Sequence, residues 1–99
     1  MRVEVALYGS ARVIVGLSQV EVSFETSTAT LGQLLQRLAA RYPRARPYFL
    51  DEAGRPPSFV RVLINAVRPD PDATPDTILH DADRVALLVA VAGGGRGTT

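Results

Sequence analysis

The run AVAGGGRGTT, residues 90–99, contains the residues best suited to chemistry, Gly93 and Gly94. Glycine has no Cβ, so a pair of glycines can thread a narrow channel in an extended shape that larger residues could not enter. Such a pair becomes a chemical handle when its own carboxylate is free. Here the Gly94 carbonyl is a peptide amide, because Gly95, Arg96, Gly97, Thr98 and Thr99 follow it. A glycine-rich terminus is also commonly just floppy, and both readings stand at this point. Each residue extends a chain by roughly 3.3–3.6 Å, so a working handle must begin close to the body that presents it.

That body is bounded by composition. The chain has 99 residues, of which 46% are hydrophobic, and a net charge of +1. One domain with a real core is expected, and neither nucleic acid nor a membrane surface is called for by charge. No apolar run approaches the roughly 18 residues that a membrane span needs. The sequence enters a strand pattern directly, with no secretory signature, so a cytoplasmic location is expected. There is no cysteine, and therefore no disulfide and no thiolate nucleophile. His80 is the only histidine, which argues against a histidine-rich metal site and a catalytic triad. All eleven basic residues are arginine.

The elements that must carry the glycine pair follow from periodicity. RVEVALYG alternates, with Val3, Val5 and Leu7 on one face and Arg2, Glu4, Ala6 and Tyr8 on the other, as a half-buried strand does. After a loop around Gly16, QVEVSFE alternates again, and the two strands are expected to form an antiparallel hairpin. In TATLGQLLQRLAARYP, Leu31, Leu34, Leu35, Leu38 and Tyr42 form one stripe of a helix. Thr30 and Gln33 fit a capping box, Gly32 weakens the helix slightly, and Pro43 ends it. Residues 43–57 read as irregular. FVRVLINA is a strand that ends in an Asn65-Ala66 turn. RPDPDATPD cannot be a central strand, because proline removes ladder donors. HDADRV is polar turn material, with His80 solvated and Asp81 and Asp83 as turn formers. RVALLVAVA is nearly all apolar, so it is expected at the centre of a sheet, parallel to the first strand. This order gives an α+β, ubiquitin-like β-grasp: a mixed sheet of four to five strands with one main helix on one face. The domain is expected over residues 1–92, with residues 93–99 as a flexible tail.

The chain resembles the MoaD/ThiS family of small sulfur-carrier proteins, and above all the MoaD-type small subunit of molybdopterin synthase. The resemblance spans nearly the whole chain. It rests on YGSAR followed by Gly16, on the helix segment, on VRVLINA where the family has a strand ending in Asn-Gly, on LHDADRVALL, and on VAGG. Ala66 and Ala82 replace turn glycines of the family, a change that suits turns free of positive φ. The chain also continues past the second glycine, where family carriers usually end. The resemblance implies a C-terminal Gly94 that is adenylated by an ATP-dependent, E1-like enzyme of the MoeB/ThiF type and then converted to a thiocarboxylate. It implies no bound cofactor or metal, with ATP used by the activating partner. The large subunit of molybdopterin synthase, and a metalloprotease that trims residues 95–99, are further implied partners. Neither a nucleic-acid partner nor a membrane is expected.

The candidate site therefore comprises Gly93 and Gly94 as the acyl carrier and a partner-binding surface. If Val60, Val62 and Ile64 face the helix, Leu63 faces away. The same logic puts Leu88 on the helix-free side of the last strand, where Leu63 and Leu88 would form an apolar patch rimmed by Arg61. Val91 and Ala92 join that strand to the glycines and complete the surface. Arg37, Arg41, Arg44 and Arg46 cluster at and beyond the helix end, where they complement its dipole or meet an acidic partner. Besides sulfur carriage, two functions remain open. One is a ubiquitin-like modifier joined through Gly94 to amines of other proteins. The other is a plain binding module with an inert tail.

Overall fold

A computed structural model describes residues 1–70 and 74–89. Among these residues the α-helices and strands follow in order: β1 (Arg2–Gly9), α1 (Ser10–Val15), β2 (Gln19–Ser23), β3 (Thr28–Thr30), α2 (Leu31–Arg41), β4 (Val60–Ile64), β5 (Ile78–His80) and β6 (Arg84–Val89). Four of them form the main sheet in the order β2-β1-β6-β4. β1 and β6 are parallel at its centre, and β2 and β4 pair antiparallel to them on either side. β3 and β5 form a separate two-stranded antiparallel sheet. This is the expected β-grasp, with the additional strands set apart from the main sheet.

The core lies between one face of the sheet and α2. Val3, Val5 and Leu7 of β1, Val85 and Leu87 of β6, and Leu31, Leu34, Leu35 and Leu38 of α2 are fully buried. α2 begins in a complete capping box: the Gln33 N–H donates to Thr30 Oγ1 at 3.1 Å, and the Thr30 N–H donates to Gln33 Oε1 at 2.8 Å. A cap of this kind contributes about 1 kcal/mol. Gly32 has a packing reason to be small, because a Cβ there would lie 3.0 Å from the Pro75 carbonyl oxygen.

Three local expectations are corrected. The segment before Gly16 is the short helix α1, which buries Ala11 and packs Val15 against the core. Part of the irregular stretch, Pro43–Tyr48, is a 3₁₀ helix that buries Ala45. The third correction concerns Ala66 and Ala82. Both have positive φ, 67° and 69°, and Asn65 has φ 51°. The turns kept the left-handed geometry that glycine would adopt freely.

What holds those alanines is a polar clasp between the two turns. Asn65 Nδ2 donates to Asp83 Oδ1 at 3.0 Å, and the Arg84 N–H donates to Asn65 Oδ1 at 3.0 Å. The Asn65 N–H also donates to the Arg84 carbonyl at 2.8 Å. Asp83 Oδ2 accepts from the His80 N–H at 2.8 Å, and Asp81 Oδ1 from the Arg2 N–H at 2.8 Å. Asp83 thus serves the turns, and Asp81 ties its turn to β1.

An L-residue in the left-handed region costs roughly 1–2 kcal/mol, and glycine returns roughly 0.5–1 kcal/mol of that as extra unfolded-state entropy. Ala66→Gly and Ala82→Gly are therefore each expected to raise the unfolding free energy by about 0.5 kcal/mol, the difference of those terms. Urea denaturation measures this, and a loss of stability at both positions would contradict the positive φ.

Candidate functional site

The helix-free face of the sheet is built by strand register. β6 lies between β1 and β4, with Tyr8 beside Leu88 and Leu88 beside Arg61. The next row is Gln19, Ala6, Ala86 and Leu63, and the one after it holds Glu21, Glu4 and Arg84. Because alternate residues share a face, these three rows all lie opposite the core. Leu63 and Leu88 are half-buried there, and Arg61 is exposed at the β4 end.

Two residues join this surface that the sequence reading had not placed in it. Tyr8 is 49% exposed beside Leu88. Leu17, also 49% exposed, lies one residue before Ser18, whose carbonyl accepts from the Leu7 N–H and so continues the β1–β2 register. Ala6 and Ala86 form a floor of small side chains between the larger ones. The Tyr8 signal was legible, since the alternation of β1 turns it away from the core. Only the strand register reveals that its neighbour is Leu88.

The patch has a charged border. Arg84 Nε meets Glu4 Oε1 at 2.8 Å, and an Arg2 guanidinium nitrogen lies 3.7 Å from Glu21 Oε1. Exposed pairs of this kind add little stability. Their effect is to limit the apolar surface to the rows that end nearest Val89.

Val89 is the last described residue of β6. It pairs with Gly9 on β1 and with Val60 on β4, and it is buried. Gly9 has φ 73° and ψ −141°, and a Cβ there would overlap the Val89 carbonyl oxygen. A bare backbone at position 9 is what allows β1 to come so close to the end of β6. Gly93, Gly94, Val91 and Ala92 lie outside the described residues.

The other candidates lie elsewhere. Arg37 and Arg41 donate to main-chain carbonyls of β2, Ser23 at 2.8 Å and Glu21 at 3.0 Å. The Arg37 guanidinium also stacks 4.5 Å from the centre of the Phe24 ring. These two arginines fasten the helix to the sheet edge. Among the described residues, no group of three or more His, Asp or Glu side chains is arranged to hold a metal ion. No helix among them is long and apolar enough to cross a membrane.

Fold and sequence together define a ubiquitin-like β-grasp of the sulfur-carrier and modifier kind. Residues 5–94 match the model of the ThiS family, and the chain belongs to that family. None of the curated proteins matches it. Among solved structures it is similar to the HVO 2177 protein of Haloferax volcanii, with 30% identity and a TM-score of 0.76 over 95% of this chain and 87% of that one. It is also similar to small archaeal modifier protein 1 of Methanosarcina acetivorans, with 25% identity and a TM-score of 0.74 over 94% and 96% of the two chains. CysO of Mycobacterium tuberculosis shows 27% identity and a TM-score of 0.67 over 90% and 99%.

The two faces of β6 differ in a measurable way. Leu87→Ala is expected to cost about 2–5 kcal/mol, as a fully buried leucine does. Leu88→Ala is expected to cost well under about 2 kcal/mol, the low end of that range. Denaturation curves of the two variants check this, and the reverse order would exchange the faces.

Proposed function

We propose that this protein is a sulfur carrier whose working end is Gly94, exposed by removal of residues 95–99. The freed carboxylate attacks the α-phosphorus of ATP on an E1-like enzyme of the MoeB/ThiF type and expels pyrophosphate. A sulfide-level donor then attacks the acyl carbon. The bond to the AMP oxygen breaks, AMP leaves, and the glycine ends as a thiocarboxylate. The sulfur goes on to molybdopterin, in complex with a molybdopterin synthase large subunit, or to a related biosynthetic acceptor. The protein supplies the body and the tail, and its partners supply ATP and the catalytic groups.

One observation carries this reading. The family match ends at Gly94, the second glycine of the pair, and leaves residues 95–99 beyond it. Supporting it, Val89, the last described residue of the central strand, lies only five positions before Gly94 and beside the apolar rows. A partner seated on Tyr8, Leu88 and Leu63, with Arg61 at the rim, would therefore have the tail within reach. Val91 and Ala92 would be gripped on the way to the active site.

The likeness to a small archaeal modifier protein favours a second reading, in which Gly94 is joined to amines of target proteins. Activation is common to both readings, and only the acceptor differs. A peptidase that cuts after Gly94 must act first in either case. A zinc metalloprotease that accepts a glycine pair suits this step, with a metal-bound water as nucleophile.

Two measurements test the proposal. In ATP–pyrophosphate exchange with the cognate activating enzyme, residues 1–94 should be a good substrate. Residues 1–99 should be a poor one, because five extra residues carry the carboxylate away from a reactive arrangement. Equal exchange by both forms, with no trimming seen by mass spectrometry, would remove the glycine pair as the handle. In the second measurement, Leu88→Asp should remain folded yet lose binding to the activating enzyme. Full binding by the folded variant would remove the helix-free face as the docking surface.

A further inference from the structure

The two edges of the main sheet are finished differently. In β2, Val20 and Val22 bond inward to β1, so Gln19, Glu21 and Ser23 turn their main-chain groups outward. At that edge Arg41 and Arg37 reach over from α2 and occupy the Glu21 and Ser23 carbonyls. An incoming strand would have to displace both guanidinium groups.

β4 is finished otherwise. The Asn65 N–H bonds to Arg84, which places Arg61 and Leu63 as the inward-bonding residues and turns Val60, Val62 and Ile64 outward. Ile64 exchanges two hydrogen bonds with Val67, and the Val60 N–H donates to the Pro57 carbonyl. Among the described residues, no main-chain partner is found for the Val62 N–H, the Val62 carbonyl or the Val60 carbonyl. Past Val67, Arg68 and Pro69 stay beside this edge, and Pro69 has no N–H to offer. Open main-chain groups on an edge strand are a template for another strand.

A concave space of about 540 Å³ lies at this open edge, lined by Phe59, Val60, Arg61, Val62, Arg68 and Pro69 among others. Arg61 and Arg68 are exposed, and no carboxylate belongs to the described lining. Phe59 is 51% exposed, with its ring held edge-on against Tyr48 at 6.2 Å. Open hydrogen-bonding groups, an apolar flank and the guanidinium groups of Arg61 and Arg68 occur together here, with Arg55 also in the lining.

We propose that the β4 edge docks an extended, acidic segment of a partner protein, added as a strand. Its main chain bonds to Val62 and to the Val60 carbonyl. Alternate side chains of a strand fall on one face, so carboxylates two residues apart meet Arg61 and Arg68 while the intervening apolar residues fall on the opposite face. Main-chain bonds supply affinity in this mode, and the alternate side chains supply selectivity. The proposal does not depend on activation of Gly94, and it would stand if that reading failed.

The test uses the full-length protein and the synthetic peptide acetyl-Asp-Val-Asp-Val-Asp-Val-amide, followed by amide NMR spectra. Binding should shift the amide signals of Val60–Ile64 and Arg68 and slow hydrogen exchange at Val62. The double variant Arg61→Glu, Arg68→Glu should bind at least about tenfold more weakly, since hydrogen bonds to charged groups are the stronger ones. If that variant does not fold, the pair Arg61→Gln, Arg68→Gln makes the same comparison. The peptide with lysine in place of aspartate should not bind. Four outcomes would overturn the proposal: no binding, shifts centred on Arg37, Arg41, Arg44 and Arg46, unchanged affinity in the folded double variant, or equal binding of the lysine peptide.

Discussion

Two parallel strands can lie side by side only if the intervening chain crosses from one end of the sheet to the other. Here the parallel pair is β1 and β6, at the centre of the sheet, and the rest of the structure depends on it. The crossover carries α2 across one face, where its leucines meet Val3, Val5, Leu7, Val85 and Leu87. The opposite face is left without a helix. The same pairing puts Tyr8 beside Leu88 on that bare face and Gly9 beside Val89. The core and the helix-free face are thus two consequences of one pairing.

The features legible in the sequence were those with long, regular periods. The alternation of β1, β2 and β4, the apolar run of β6 and the leucine stripe of α2 suffice to assign those elements. α1 escaped because it is only six residues long and SARVIV is rich in β-branched residues, which disfavour helix. Burial of Ala11 overrides that preference. β3 and β5 have three residues each, too few for a period of two to register. Of the candidate surface, Leu63, Leu88 and Arg61 follow from alternation along single strands. Leu17 does not, because it precedes β2 and is placed only by the register that Ser18 continues.

Ala66 and Ala82 illustrate a different limit. Sequence alone suggests that alanine in place of glycine reshapes a turn. In the structure the turn geometry is fixed from outside, by Asn65, Asp83 and Arg84 gripping one another across the ends of β4 and β6. Those bonds lie at a sequence separation of 18 or more residues, beyond the reach of any local rule. The clasp sits at the opposite end of β6 from Val89, so strain is stored far from Val89.

The ion pair between Glu4 and Arg84 joins residues 80 positions apart. The central pairing that it accompanies therefore closes a loop containing most of the chain. Loop-closure entropy must be overcome before such contacts return any stability, and folds dominated by distant contacts reach the native state slowly for their size. The β1–β2 hairpin and α2 can form early from local contacts, but β1 keeps one open edge until β6 arrives. Val3, Val5 and Leu7 thus belong to a strand that is apolar and unpaired on one side during folding. That interval is when the chain is most exposed to chaperones and to association with other copies.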